Sequence, residues 1–68
     1  MKRITRPVLV STVAEIIPAE SWDDLPMIRQ AVNDTADSFR KDGYHCPDFA
    51  QDGIVRAIQN RIQESQLP

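Results

Sequence analysis

The apolar pattern between Leu25 and Gly43 constrains the fold more than any other feature of the chain. Its apolar face recurs every three or four residues and comprises Leu25, Ile28, Val32, Thr35 and Phe39. This spacing is typical of one buried face of an α-helix. Proline is tolerated in the first turn of a helix, and a glycine just past the last turn commonly ends one. The pattern predicts a helix over residues 25–41, with Ser21 or Asp24 as its N-cap.

A second stripe of the same kind lies near the end of the chain. It comprises Ala50, Ile54, Ala57, Ile58 and Ile62. Pro47 suits a first helical turn, and Asp48 would lie near the positive end of the helix dipole. We therefore predict a helix over residues 47–65. Two helices joined by a short turn form an antiparallel hairpin.

The first seventeen residues give a less uniform pattern. Pro7 and the β-branched residues after it favour extended backbone, so we predict that residues 1–10 form an extended basic arm. Thr12 and Glu15 have the spacing of a capping box, which predicts a short helix over residues 12–17 before Pro18. The alternative is one continuous strand from residue 8 to residue 17.

The shortness of the chain limits its core. A chain of 68 residues forms a single domain with a thin core, and a single cysteine excludes an internal disulfide. Self-association is the remaining way to stabilise such a thin core, so we predict a homo-oligomer. The expected fold is all-α, a short N-terminal helix and an antiparallel hairpin that dimerise into a small bundle. Residues 11–65 would form the domain, and residues 66–68 a frayed tail.

The predicted environment is the cytoplasm. The start of the chain, MKRITRPVLVSTVA, imitates a secretory signal, but its apolar run is short and Glu15 interrupts it. No run approaches the roughly 20 apolar residues of a membrane span. A free cysteine fits a reducing compartment.

The segment KDGYHCPDF, residues 41–49, holds the only histidine and the only cysteine. A thiol beside an imidazole suggests a nucleophile or a metal ligand. Adjacent side chains in a turn usually point apart, however, and one pair cannot complete a tetrahedral zinc site. We therefore predict a turn in which Tyr44 and Phe49 pack across the helix ends, with no catalytic residue, no metal and no cofactor. Replacing Cys46 with serine should then leave the fold nearly intact.

Charge divides the chain into a basic start and an acidic segment. The net charge is −2, and residues 15–24 contain four carboxylates and no lysine or arginine. Within this acidic segment, Glu20, Asp23 and Asp24 surround Trp22, which either covers the open end of the core or anchors a partner; we favour the core. The carboxylates either favour the start of the middle helix or meet a basic partner. These features predict a non-enzymatic protein-interaction module: an adaptor, inhibitor or regulatory subunit that binds a larger protein.

The alternative function is DNA binding by the basic start. Lys2, Arg3 and Arg6 are suited to phosphate contacts. The order of a short N-terminal strand and two helices resembles the ribbon-helix-helix family of dimeric DNA-binding repressors. That resemblance implies an α+β fold in which Lys2, Ile4 and Arg6, or Arg3 and Thr5, face the major groove. The acidic net charge favours the protein partner over nucleic acid.

Overall fold

A computed structural model describes residues 2–47 and 49–66 of the chain, with Gln66 described by its backbone alone. Three α-helices follow one another: α1 at Arg6–Ile16, α2 at Leu25–Lys41 and α3 at Gln51–Gln66. A short 3-10 turn at Ala19–Ser21 joins α1 to α2. The predicted all-α class is confirmed. Asp48 and residues 67 and 68 of the predicted tail lie outside the described residues.

Helix α2 has the predicted bounds and the predicted caps. The Asp24 carboxylate accepts a hydrogen bond from the Met27 amide at 3.3 Å, which satisfies one free donor of the first turn. At the other end Gly43 has φ of +93°, in the left-handed region. Its amide donates to the Arg40 carbonyl at 3.1 Å, and the Tyr44 amide donates to the Phe39 carbonyl at 3.0 Å. This pair of bonds is a Schellman motif.

Helix α1 begins at Arg6, so the prediction of extended backbone over residues 6–10 is wrong. Thr5 is the N-cap residue and Pro7 lies in the first turn, where its missing amide costs no hydrogen bond. Burial of Leu9 against α2 and α3 outweighs the weak strand preference of the β-branched residues around it. Thr12 lies inside the helix and its hydroxyl donates to the Val8 carbonyl at 2.8 Å, so the predicted capping box does not form.

Residues 2–5 are extended but are fixed to the rest of the chain. The Ile4 amide donates to the His45 carbonyl at 2.8 Å, and the His45 amide donates to the Lys2 carbonyl at 2.7 Å. The Ile4 side chain is buried. These bonds form a single parallel bridge between Arg3 and His45, and the described residues contain no strand. The α+β alternative is therefore wrong.

Helix α3 begins at Gln51, four residues after the predicted start at Pro47. The Arg40 guanidinium donates to the Cys46 carbonyl from Nε at 3.3 Å and from Nη2 at 2.9 Å. Phe49 packs against the core from outside the helix. Both contacts hold the connector in a non-helical path, which the local sequence pattern does not reveal.

The three helices enclose one core. Its members are almost all aliphatic: Ile4, Leu9, Val10, Val13, Ile17, Ile28, Val32, Ala36, Cys46, Ile54, Val55, Ile58 and Ile62. Gln51 at the start of α3 donates to Asn33 within α2 at 3.0 Å, whereas Gln59 further along α3 donates to the carbonyl of Trp22, before α2 begins, at 3.0 Å. Helices α2 and α3 are thus antiparallel, as predicted. Helix α1 packs on both, and most extensively on α3.

Candidate protein-binding surface

One end of the bundle gathers the end of α1, the 3-10 turn, the start of α2 and the end of α3. The side-chain amide of Gln59 reaches the Trp22 carbonyl at 3.0 Å, which joins α3 to the segment before α2. Ala14, Ala19 and Ile62 line a common groove, which joins α1 and the 3-10 turn to α3. The acidic segment, residues 15–24, therefore lies at this end.

Large apolar side chains are exposed at the same end. They are Ile16, Trp22, Leu25 and Met27, with 59%, 37%, 41% and 41% of their surface exposed. Four of the five exposed large hydrophobic residues in the described part of the chain thus lie between positions 16 and 27. We call these four residues, together with the carboxylates Glu15, Glu20, Asp23 and Asp24, the acidic end.

The expectation that Trp22 belongs to the core is wrong. Its side chain is neither in the buried cluster nor among the partly buried residues packed on it. Helix α1 supplies Leu9, Val10 and Val13 to the core, so the hairpin is covered without the indole. The backbone of Trp22 is nevertheless held by its bond from Gln59. The side chain is presented at the surface from a fixed position.

The carboxylates of the acidic end are all exposed. Asp24 serves as the N-cap of α2, so its role in starting the helix is confirmed. Glu20 and Asp23 flank Trp22 on the surface. The predicted partner-binding residues Trp22, Glu20, Asp23 and Asp24 are therefore brought together, next to Leu25, which the helical pattern had assigned to the core.

The groove between α1 and α3 is a feature that sequence reasoning missed. It has a volume of about 310 Å³ and is lined by Ala14, Glu15, Ile17, Ala19, Arg61, Ile62 and Ser65. We define these residues as the α1–α3 groove. The sequence placed Ile62 in the hairpin core, and nothing in its pattern indicated that the end of α1 would lie beside it. The exposure of Ile16 beside this groove is likewise seen only in the structure.

The three predicted DNA-binding residues, Lys2, Arg3 and Arg6, lie at the opposite end of the bundle. Lys2 and Arg3 are attached through the backbone to His45, which follows the end of α2. The Arg6 guanidinium lies over Gly53 in the first turn of α3, with Nη2 3.0 Å from the point where a β-carbon on this glycine would lie. All three basic side chains are exposed, but they do not form a free arm.

His45 and Cys46 lie in the connector between α2 and α3, which confirms the predicted turn. Cys46 is buried with its thiol 3.9 Å from the Pro47 carbonyl, whereas His45 is exposed. A cavity of about 70 Å³ is lined by Cys46 but not by His45. The described residues contain no cluster of three or more histidine, cysteine or carboxylate side chains arranged to hold a metal ion.

None of the helices in the described part of the chain combines the length and apolar character needed to span a bilayer. No protein-family model, curated protein or solved structure matches the chain.

Proposed function

We propose that this protein is a non-enzymatic interaction module that binds a basic surface of a larger protein through its acidic end. It would act as an adaptor, inhibitor or regulatory subunit. The observation that carries the proposal is the grouping of four exposed apolar side chains with four carboxylates at one end of the bundle. The free thiol of Cys46 supports a cytoplasmic site of action.

The composition of the acidic end suits protein binding. Tryptophan is enriched among the interface residues that contribute most to affinity, and these residues are usually surrounded by a polar rim. Trp22 has such a rim in Glu20 and Asp23. Carboxylates around an apolar anchor accelerate association with a basic partner and disfavour acidic ones. The bond from Gln59 to the Trp22 carbonyl reduces the ordering that binding would require.

The test is a tagged pull-down from the native host, repeated with nuclease. We expect the unaltered protein to recover a protein partner, and the double variant Trp22→Ala, Asp23→Lys to lose it. The matched control is Val8→Ala, Asp42→Lys, which makes the same kinds of change away from the acidic end. Circular dichroism would show that both variants remain helical. Recovery of nucleic acid without a protein partner would refute the proposal.

A second candidate is a dimeric DNA-binding regulator that uses Lys2, Arg3 and Arg6. It is supported by the exposure of these three cations at the end of the bundle away from the acidic end, and it is opposed by Asp42, which lines a cavity together with Lys2. DNA binding should then weaken steeply with salt and disappear when all three become glutamine. It should survive the Trp22→Ala, Asp23→Lys change, whereas partner binding through the acidic end should respond in the opposite way to both variants.

A further inference from the structure

We propose that the partner docks through a lysine- or arginine-rich amphipathic helix that inserts an apolar side chain into the α1–α3 groove. This inference rests on the proposed function and specifies the chemistry of the partner. In this proposal the α1–α3 groove, together with the acidic end, forms the binding site, and the groove holds the apolar side chain of the partner.

Four apolar residues line part of the groove, beside the polar residues Glu15, Arg61 and Ser65. Ile17 and Ile62 form buried parts of its wall, and Ala14 and Ala19 leave space between the two helices. A cavity of about 150 Å³ is large enough to bind benzene. The groove is open to solvent rather than enclosed, and its volume of about 310 Å³ leaves room for a leucine, isoleucine or phenylalanine side chain.

Further apolar side chains lie near the groove. Ile16, the last residue of α1, is exposed and is adjacent in sequence to the groove residues Glu15 and Ile17. On α3, Gln59 contacts Trp22 and lies three residues before Ile62, which places both on one helix face. A partner helix that presents apolar side chains every three or four residues could contact the groove and the nearby apolar side chains at the same time.

The charges around the groove favour a basic helix as the bound partner. Glu15 lines the groove, and the acidic segment carries four carboxylates without a lysine or arginine, whereas Arg61 contributes a cation to the groove wall. Because Glu15 and Arg61 balance each other in the groove itself, the attraction for a basic helix comes from Glu20, Asp23 and Asp24. A second copy of this chain bound through the same face would place the same carboxylates opposite each other across a two-fold axis, which is unfavourable. The acidic end is thus suited to a different protein rather than to self-association.

The first measurement uses Trp22 as the reporter, because it is the only tryptophan. The probe is a leucine–lysine peptide about four helical turns long, with leucine at every third or fourth position and no aromatic residue. The matched control peptide has glutamate in place of lysine. We expect the leucine–lysine peptide to shift the Trp22 emission to shorter wavelength, with a Kd about tenfold lower than that of the control peptide. Added salt should weaken this binding.

The second measurement fills the groove. Ala19→Phe places a ring on the groove wall, and the matched control Ala50→Phe makes the same change at an exposed alanine just before α3. We expect Ala19→Phe to raise the Kd of the leucine–lysine peptide about tenfold and Ala50→Phe to leave it unchanged. Circular dichroism of both variants checks that the fold persists.

Three results would overturn the inference: no binding of the leucine–lysine peptide, equal binding of the glutamate peptide, or equal binding by Ala19→Phe and Ala50→Phe. The proposed function has its own test. If the native partner is lost from Trp22→Ala, Asp23→Lys but retained by Ala19→Phe, the acidic end binds a protein without using the groove. If the double variant also retains the partner, the proposed function fails as well.

Discussion

Single residues decide how the connector between α2 and α3 is built. Gly43 was predicted as the left-handed cap, and its φ of +93° confirms this. The Phe39 and Tyr44 rings meet edge to face, with centroids 5.6 Å apart, which supplies the apolar contact that accompanies a Schellman motif. The burial of Cys46, by contrast, was not predicted. A side chain in a turn is buried only when segments distant in sequence pack over it, and the local sequence does not show such packing. Here the Ile4 segment is bonded to the neighbouring His45, and Leu9, Val32 and Ile54 line a cavity together with Cys46.

The two glycines should respond oppositely to alanine. Gly43→Ala should lower the free energy of unfolding by about 1–2 kcal/mol, because a β-carbon is strained at a positive φ. Gly53→Ala should be neutral or stabilising by up to about 1 kcal/mol, because this glycine is inside α3 and a β-carbon there meets only the mobile end of Arg6. Urea denaturation measures both. Equal effects would contradict the assigned cap.

Cys46→Ser should destabilise the protein, contrary to the expectation from sequence. The side chain belongs to the buried cluster, so a serine hydroxyl would be removed from water. A loss of about 1–2 kcal/mol in the free energy of unfolding is expected. Cys46→Ala is the control, because it introduces no polar atom, and it should cost less. A serine variant as stable as the unaltered protein would show that the site admits water.

At the scale of elements, the sequence predicted helices well where apolar spacing and caps agreed, as in α2. It failed at the starts of α1 and α3. Pro7 was interpreted as favouring extended backbone, although a proline in a first turn is equally compatible with helix. Pro47 was interpreted as a helix start, although contacts from Arg40 and Phe49 delay the helix to Gln51. Both errors concern positions where tertiary packing selects between two locally allowed conformations.

One aspartate variant and one threonine variant test where α2 and α1 begin. Asp24→Ala should lower the free energy of unfolding by about 1 kcal/mol, because the carboxylate accepts from the Met27 amide as an N-cap. Thr12→Ala should change it by less than about 0.5 kcal/mol, because the threonine lies inside α1, where alanine has the higher helix propensity. Thermal or urea denaturation followed by circular dichroism distinguishes them. A larger loss for Thr12→Ala would favour the capping box that the sequence predicted.

For the whole molecule, self-association stays a prediction. The prediction was based on the thin core of the helical hairpin. In the structure, α1 packs on α2 and α3 and so buries part of the apolar surface that a second chain was expected to bury. Light scattering at micromolar concentration should give about twice the chain mass of 7.7 kDa. A monomer with a cooperative melt would contradict the prediction.

The candidate surface was only partly predictable from the sequence. Trp22 and the carboxylates around it are consecutive or nearly so, and the sequence therefore identified them. The α1–α3 groove and the exposure of Ile16 depend on how α1 packs against α3. The position of Lys2 and Arg3 away from the acidic end depends on the Arg3–His45 bridge, which joins segments more than forty residues apart.

Photocrosslinking in the native host tests the central claim most directly. A benzophenone-bearing phenylalanine analogue would replace Trp22 in one variant and Tyr44, at the opposite end, in a matched control. We predict a covalent adduct with a protein from position 22 and none from position 44, because partner binding is assigned to the acidic end. Adducts from position 44 alone, or with nucleic acid instead of protein, would contradict the account.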